Sequence, residues 1–413
     1  MSIIKILNFG SCNIDYVYSL DHIVKEGETE TTYNLETFPG GKGLNQSIAI
    51  AKAGASVYHA GYVGIDGEFL KDILSDSGVD VSFMQKVNSK NGHAVIQVSA
   101  NGENSIFLYP GSNEMLSREY IDGVLEHFGA NDMILLQNEI NEVDYIVEKA
   151  FGKAMTIVFN PSPFNQRVIQ IDFHKLSYIV LNEVEAKSIT GFEDPEKSLK
   201  FLKEHYPNLK VMLTLGINGS VLMDGETSLY QTAYEVEAVD TTAAGDTFTG
   251  YFVASIAKDI DSCENLKRAS IASAIAVSRK GAAPSIPAED EVSLALKNFK
   301  ANKMSSKSRV LRKQIERYVE KNIKTANLDE LAARLGYSAV YTGSLVKRLV
   351  GESFTKYLQK VRCEIAANKL LHTDLSIEEI IQDVGYENES FFRKIFKEKY
   401  GKSPLEFRKQ MVR

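Results

Sequence analysis

The sequence predicts an α/β domain with a central, mostly parallel sheet and a small β lid, followed by an all-α domain. Three observations carry this. Residues 1–297 alternate short apolar runs with helix-period segments, the pattern of a parallel sheet covered by helices on both faces. Two segments, Thr29–Phe38 and His93–Leu108, alternate at period two around an Asn101–Gly102 turn signal. They predict antiparallel strands of a side sheet placed as a lid. Beyond a Lys/Ser-rich stretch every periodic segment is helical, and one helix-turn-helix pattern occurs twice. The domains read as 1–297 and 309–413, joined by a linker at 298–308.

In chain order, strands are expected at Ile3–Asn8, Val57–Tyr62, Met133–Gln137, Thr156–Phe159, Tyr178–Leu181 and Lys210–Thr214, with helices such as Gly43–Ala53, Val143–Phe151 and Pro195–His205 between them. In the tail, 328–354 and 377–404 each read as a short helix, a Gly–Tyr turn, a second helix and a closing glycine. The second helices are expected at Ala339–Leu349 and Glu389–Lys397, and a helix over Thr355–Leu371 joins the two units.

Composition excludes several classes. The 413 residues are 44% hydrophobic, enough for more than one core. No run of 18 apolar residues occurs, so no membrane span is expected. The N-terminal stretch lacks the layout of a signal peptide, and three scattered cysteines form no metal-type spacing. A reducing cytoplasm is the expected location. The net charge of −7 is uneven. Residues 301–413 carry 23 Lys+Arg against 14 Asp+Glu, a net of +9, which leaves −16 for the first 300. Only the tail suits a polyanion.

The chemistry concentrates at 240–250, DTTAAGDTFTG. Asp246 stands behind a small-residue turn, Ala243–Ala244–Gly245, that opens a helix. Unpaired N–H groups at a helix start receive anions, and small side chains let a phosphate approach them. A carboxylate there can take a proton from a hydroxyl while the amides hold the transferred phosphoryl group. An ordinary first-turn Asp fits the same eleven residues. Upstream, GSCNID (10–15) and FPGGKGLNQ (38–46) place polar groups at two further turns. LNEVE (181–185) and LTLGINGS (213–220) follow strands. No Walker-type GxxxxGK[ST] occurs, which argues against P-loop chemistry.

Together, and in this order, these motifs resemble the ribokinase (PfkB) family of sugar and nucleoside kinases over residues 3–290. The resemblance implies ATP-dependent phosphorylation of an alcohol, D-ribose to D-ribose 5-phosphate in its ribokinase branch. It implies Asp246 as general base, with the N–H groups of Ala243, Ala244, Gly245 and Asp246 as anion hole. Sugar ligands map onto Asn13, Asp15, Gly41, Lys42, Asn45 and Glu139, with Ala94 and Ile96 covering the sugar from the lid. Thr214, Gly216, Ile217 and Gly219 would line the nucleotide, with Asn182 near its phosphates. Glu185 is tied to Mg²⁺. A K⁺ site is implied by Asp240, the Thr242 carbonyl, the carbonyls of Ala276, Arg279 and Gly281, and Ser285. A homodimer through the lid sheet is also implied.

Residues 308–411 resemble the AraC-type DNA-binding domain. The resemblance implies that Tyr341, Thr342, Ser344 and Lys347 face DNA in the first unit, and Asn388, Glu389, Arg393 and Lys394 in the second, with Lys347, Arg348, Lys397 and Lys399 meeting phosphates. Three functional readings follow. One is a ribose kinase that also binds DNA. Another is a regulator whose kinase fold only senses a sugar or nucleoside; an intact catalytic turn argues against it. The third is a kinase for another small polyol or a nucleoside.

Overall fold

The computed structural model describes residues 4–298, 306–337, 339–373 and 375–409, without the side chains of 306–310, Val340, Ser344, Arg348 and Lys409. Contacts divide the chain into two compact units, Met1–Lys303 and Met304–Arg413. The expected linker overlaps 299–305, which lie outside the described residues. A helix, Ser306–Lys321, begins within its last part.

Among the described residues unit one has thirteen strands: β1 Ile6–Phe9, β2 Asn13–Leu20, β3 Asn34–Gly40, β4 Val57–Val63, β5 Asp80–Lys86, β6 Gly92–Ser99, β7 Asn104–Tyr109, β8 Met133–Gln137, β9 Thr156–Asn160, β10 Tyr178–Asn182, β11 Lys210–Thr214, β12 Ser220–Asp224 and β13 Thr227–Gln231. Nine form one sheet in the order β13-β12-β11-β10-β9-β8-β1-β4-β5. It is parallel from β11 to β5, and β12 and β13 extend it antiparallel at one edge. The strands alternate which face they bury, so two separate apolar clusters fill the layers between sheet and helices. Strand order reverses at β1, which has β4 on one side and β8 on the other. A crevice at the carboxyl ends of the strands is expected at such a switch point.

The lid is a four-stranded sheet, β3-β2-β6-β7. It corrects the sequence expectation in two respects. Asn13–Leu20 is itself a lid strand, not a turn after β1, and it pairs parallel with β6. The antiparallel partners are β3 with β2, and β7 with β6. Thr29–Phe38 yields a strand only from Asn34 onward. Period-two patterning fixes which side chains share a face, not the direction of the neighbouring strand.

Two helices cover the sheet near the switch point, Lys42–Lys52 and Ala244–Ala257. They cross in close contact. A Cβ on Gly250 would lie 2.3 Å from Ala49 Cβ and 2.9 Å from the Gln46 carbonyl oxygen. Only glycine fits at that crossing.

The second unit holds two helix pairs, Leu328–Leu335 with Ala339–Val350 and Ile377–Asp383 with Glu389–Tyr400, joined by the helix Phe354–His372. Each pair has its own apolar cluster. The second pair opens on a capping box, Ser376 with Glu379.

Replacing Gly250 with alanine is expected to destabilise the first unit by about 1–3 kcal/mol through overpacking, read as a lower midpoint in urea unfolding. An unchanged midpoint would show that the crossing is looser than described.

Candidate active site

The site collects at the carboxyl ends of the parallel strands. After β1 come Ser11 and Asn13; after β8, Asn138 and Glu139; at the ends of β9, β10 and β11, Asn160, Asn182 and Thr214. Helix starts face them. Gly41, at φ 92°, precedes the helix Lys42–Lys52. Ala243 precedes the helix Ala244–Ala257 at φ 59°, a left-handed conformation uncommon for a residue with a Cβ.

Asp246 is buried at that second start, and two amides donate to it. Asn45 Nδ2 donates to Oδ2 at 3.0 Å, and Gln46 Nε2 donates to Oδ1 at 2.9 Å. Gln46 Nε2 also lies 3.1 Å from Asn160 Oδ1. The N–H of Ala244 is bonded to the Thr241 carbonyl at 3.3 Å, which leaves Ala243, Gly245 and Asp246 of the expected anion hole. As first-turn residues, Gly245 and Asp246 have no intrahelical acceptor.

Glu139 accepts from the Ser11 hydroxyl and from the Lys42 N–H, the latter at 2.8 Å. Burial raises its pKa, with Asp246 adding to the effect against the opposing Lys42. Burial works against the Lys42 ammonium, but Asp246, Glu139 and Glu185 outweigh it and raise its pKa, so it stays charged. Asn13 Oδ1 accepts from Asn113 at 2.7 Å. Asp15 is pushed up to about 7, first by burial and then by the Glu139 and Asp246 carboxylates. A Cβ on Gly40 would fall 2.0 Å from the Asp15 carboxylate, so glycine there makes room for the acid. From the lid, Ala94 is buried and Ile96 half-buried, both on β6 beside β2. His93 lies between the rings of Tyr16 and Tyr109, at 5.7 and 5.0 Å.

Two cavities flank these residues. One of about 210 Å³ is lined by Lys42, Asn160, Asn182, Glu185, Thr214, Thr241, Ala243, Gly245 and Asp246. The other, about 220 Å³, is lined by Asn13, Tyr109, Asn113, Asn138, Glu139 and Arg167 among others. Gly216, Ile217 and Gly219 form a turn after β11, with Ile217 67% exposed. Asn182 and Glu185 form a capping box, each accepting the other's backbone N–H at 2.9 Å. Glu185 is therefore held in place while still lining the first cavity. Asp240 accepts from the N–H groups of Thr242 and Gly281, at 2.9 and 3.0 Å. Those bonds hold its carboxyl below the usual range against the opposing effect of burial. They bring the 240–242 turn to the loop carrying Ala276, Arg279, Gly281 and Ser285.

With this geometry in place, the comparisons decide the lineage. The model of the pfkB family carbohydrate kinases matches residues 4–289. The chain belongs to that family. It is similar to the ribokinase of Haemophilus influenzae, 34% identical over 68% of this chain and 95% of that protein. It is also similar to the deoxyribokinase of Salmonella typhi, 29% identical over 68% of this chain and 95% of that protein. The structure of Arabidopsis thaliana ribokinase complexed with ribose and ATP matches with TM-score 0.63 and 29% identity, over 72% of this chain and 99% of that one. The first unit of this carbohydrate kinase is thus an ATP-dependent phosphotransferase. A helix-turn-helix domain model matches residues 331–410, and this second domain is of AraC type.

In that domain the first unit departs from expectation. Tyr341 and Thr342 are buried, Thr342 completely, so they cannot face DNA. Their helix turns them into the apolar cluster that contains Tyr341 and Leu345. Lys347 is exposed, and the Ser344 side chain lies outside the described residues. In the second unit Asn388, Glu389 and Lys394 are exposed. Asn388 caps its helix, accepting the Phe391 N–H at 3.0 Å, and Arg393 pairs with Glu378 and Glu389 at 3.1 and 3.4 Å.

Sequence reading missed Gln46, Asn160, Ser11 and Asn113. Gln46 directly follows Asn45 in the motif; the other three show no pattern of their own.

Because a carboxylate accepts sugar hydroxyls best when ionised, sugar affinity should weaken as pH falls through about 7. One unit below, only about a tenth of Asp15 is charged, so Kd should rise about tenfold. Titration calorimetry with ribose across pH measures this; Asp15→Asn should abolish the slope.

Proposed function

We propose that this chain phosphorylates ribose at its primary hydroxyl with ATP and regulates transcription through its helix-turn-helix domain. The observation that carries the first part is the buried Asp246 at a helix start, lining one cavity together with Gly245, Asn182 and Glu185. A phosphate donor fits the cavity on the Gly245 side. The acceptor fits between Asp246 and the Asn13–Glu139 end. Asn45 Oδ1 is buried without a partner, an unsatisfied acceptor that a sugar hydroxyl would complete.

In the reaction Asp246 takes the proton from the hydroxyl as its oxygen forms a bond to the γ-phosphorus. The bond from phosphorus to the ADP oxygen breaks, and the N–H groups of Ala243, Gly245 and Asp246 hold the equatorial oxygens. Lys42 balances the charge of Asp246, Glu139 and Glu185. Mg²⁺, held through Glu185 with Asn182 alongside, would neutralise phosphate charge. K⁺ suits the oxygen donors of Asp240, Thr242, Ala276, Arg279, Gly281 and Ser285, and would shape the anion hole.

The relatives include deoxyribokinases, so 2-deoxyribose is the competing acceptor, and kcat/KM for the two sugars decides between them. The exposed lid residues Ile106, Phe107, Leu108 and Tyr109 support a homodimer through that sheet. The domains are read as 1–297 and 309–413 with a linker at 298–308. Lys347, Asn388, Glu389, Arg393 and Lys394 remain the DNA-facing set.

Asp246→Asn should lower kcat for ribose phosphorylation by about 10²-fold or more, measured as ADP release. Unchanged kcat would reject the base. DNA affinity of the whole chain should fall steeply with salt, and Lys394→Ala should flatten the log–log slope by about 0.9 if that lysine meets a phosphate. A salt-independent affinity would reject the interface.

A further inference from the structure

The amide of Gln46 has a single workable orientation. The side chain is fully buried. Its Oε1 accepts from Gln137 Nε2 at 2.8 Å, and its Nε2 donates to Asp246 Oδ1 and to Asn160 Oδ1. A flip would set its carbonyl against the Asp246 carboxylate and its N–H₂ against the N–H₂ of Gln137. Gln137 is fixed in turn, because Nε2 also donates to Asn8 Oδ1 at 3.0 Å. A chain of amides anchored on β1 and β8 therefore ends on one oxygen of Asp246.

The other oxygen, Oδ2, is held only by Asn45 among the described residues. Asn45 keeps its own Oδ1 without a partner. The two contacts differ in kind. The Gln46 contact is locked from behind. The Asn45 contact comes from a side chain with an unmet hydrogen bond, which an entering hydroxyl can satisfy.

We propose that Gln46 is a positioning residue that fixes Asp246 through Oδ1, so that Oδ2 is the oxygen that takes the acceptor's proton, and that Asn45 covers Oδ2 until the sugar arrives. The inference rests on the kinase reading above. Gln46 touches neither sugar nor phosphate; it acts through the base. Losing that donor leaves the carboxylate free to turn away from the hydroxyl, so the loss falls on kcat and not on ATP binding. A carboxylate at position 46 displaces Asp246 further by repulsion.

The test compares the whole chain with Gln46→Met and Gln46→Glu, using ribose and MgATP, with thermal melting of each variant recorded. Expected is a fall in kcat of about 10- to 100-fold from a misplaced base, with KM for ATP within about twofold. The fall in kcat should be larger for Gln46→Glu than for Gln46→Met. A variant that loses kcat and ATP binding together as it melts early, or one that keeps kcat, overturns the inference while leaving the kinase reading intact. No turnover by the unsubstituted chain overturns both. Gln137→Met gives a second measure. It frees the Gln46 amide without touching Asp246 and should lower kcat by less, again with KM for ATP within about twofold; an unchanged kcat would contradict the locked orientation.

Discussion

The catalytic end of the molecule depends on the crossing of two helices, Lys42–Lys52 and Ala244–Ala257. Gly250 lies so close to Ala49 that a single added carbon would collide. That contact brings side chains about 200 positions apart in sequence within 3.0 Å, Asn45 and Gln46 against Asp246. Because both helices begin at the carboxyl ends of strands, the crossing also points two helix starts at one crevice. Partial positive charge and free N–H groups gather where a phosphoryl group must be held. The fold thus supplies the electrostatics before any side chain is considered.

The side chains then divide the crevice by charge. Asp246, Glu139 and Glu185 act on the half-buried Lys42 ammonium, while Asp15 faces Glu139 and Asp246. Burial raises the pKa of Asp15 and Glu139 because each negative charge there lacks solvent and faces another. A polyol relieves this, since its hydroxyls donate to carboxylates without bringing charge. The lid completes the enclosure through β2 and β6, whose parallel pairing places Asp15 opposite Ala94. Acid and cover thus belong to neighbouring strands of one sheet.

Most of the parallel sheet could be read from the sequence, because its apolar runs are short, continuous and separated by helical periods. Met133–Gln137 and Lys210–Thr214 appear with the expected bounds. The strand Asn13–Leu20 was not legible. It begins with polar site residues, and its period-two signal is blurred by burial against both lid and core. The site ligands were legible only as motifs. Their convergence on Asp246 is a tertiary fact, and Gln46 looks in sequence like any polar residue on a helix. In the tail, helix positions were legible to within a few residues, yet the inward turn of Tyr341 and Thr342 was not. A tyrosine and a threonine serve a core edge as readily as a DNA face.

A carbohydrate kinase and a helix-turn-helix domain in one chain place sugar chemistry beside a potential readout of it. Everything inferred for that pairing starts from one reaction, so its product is the decisive observable. Incubating the whole chain with ribose and MgATP in potassium buffer, and following phosphorus by NMR, should give one phosphomonoester on the primary carbon for each ADP formed. ADP without a sugar ester, or no ADP at all, would contradict the assignment of Asp246 as a working base and leave a fold that binds sugar without transforming it.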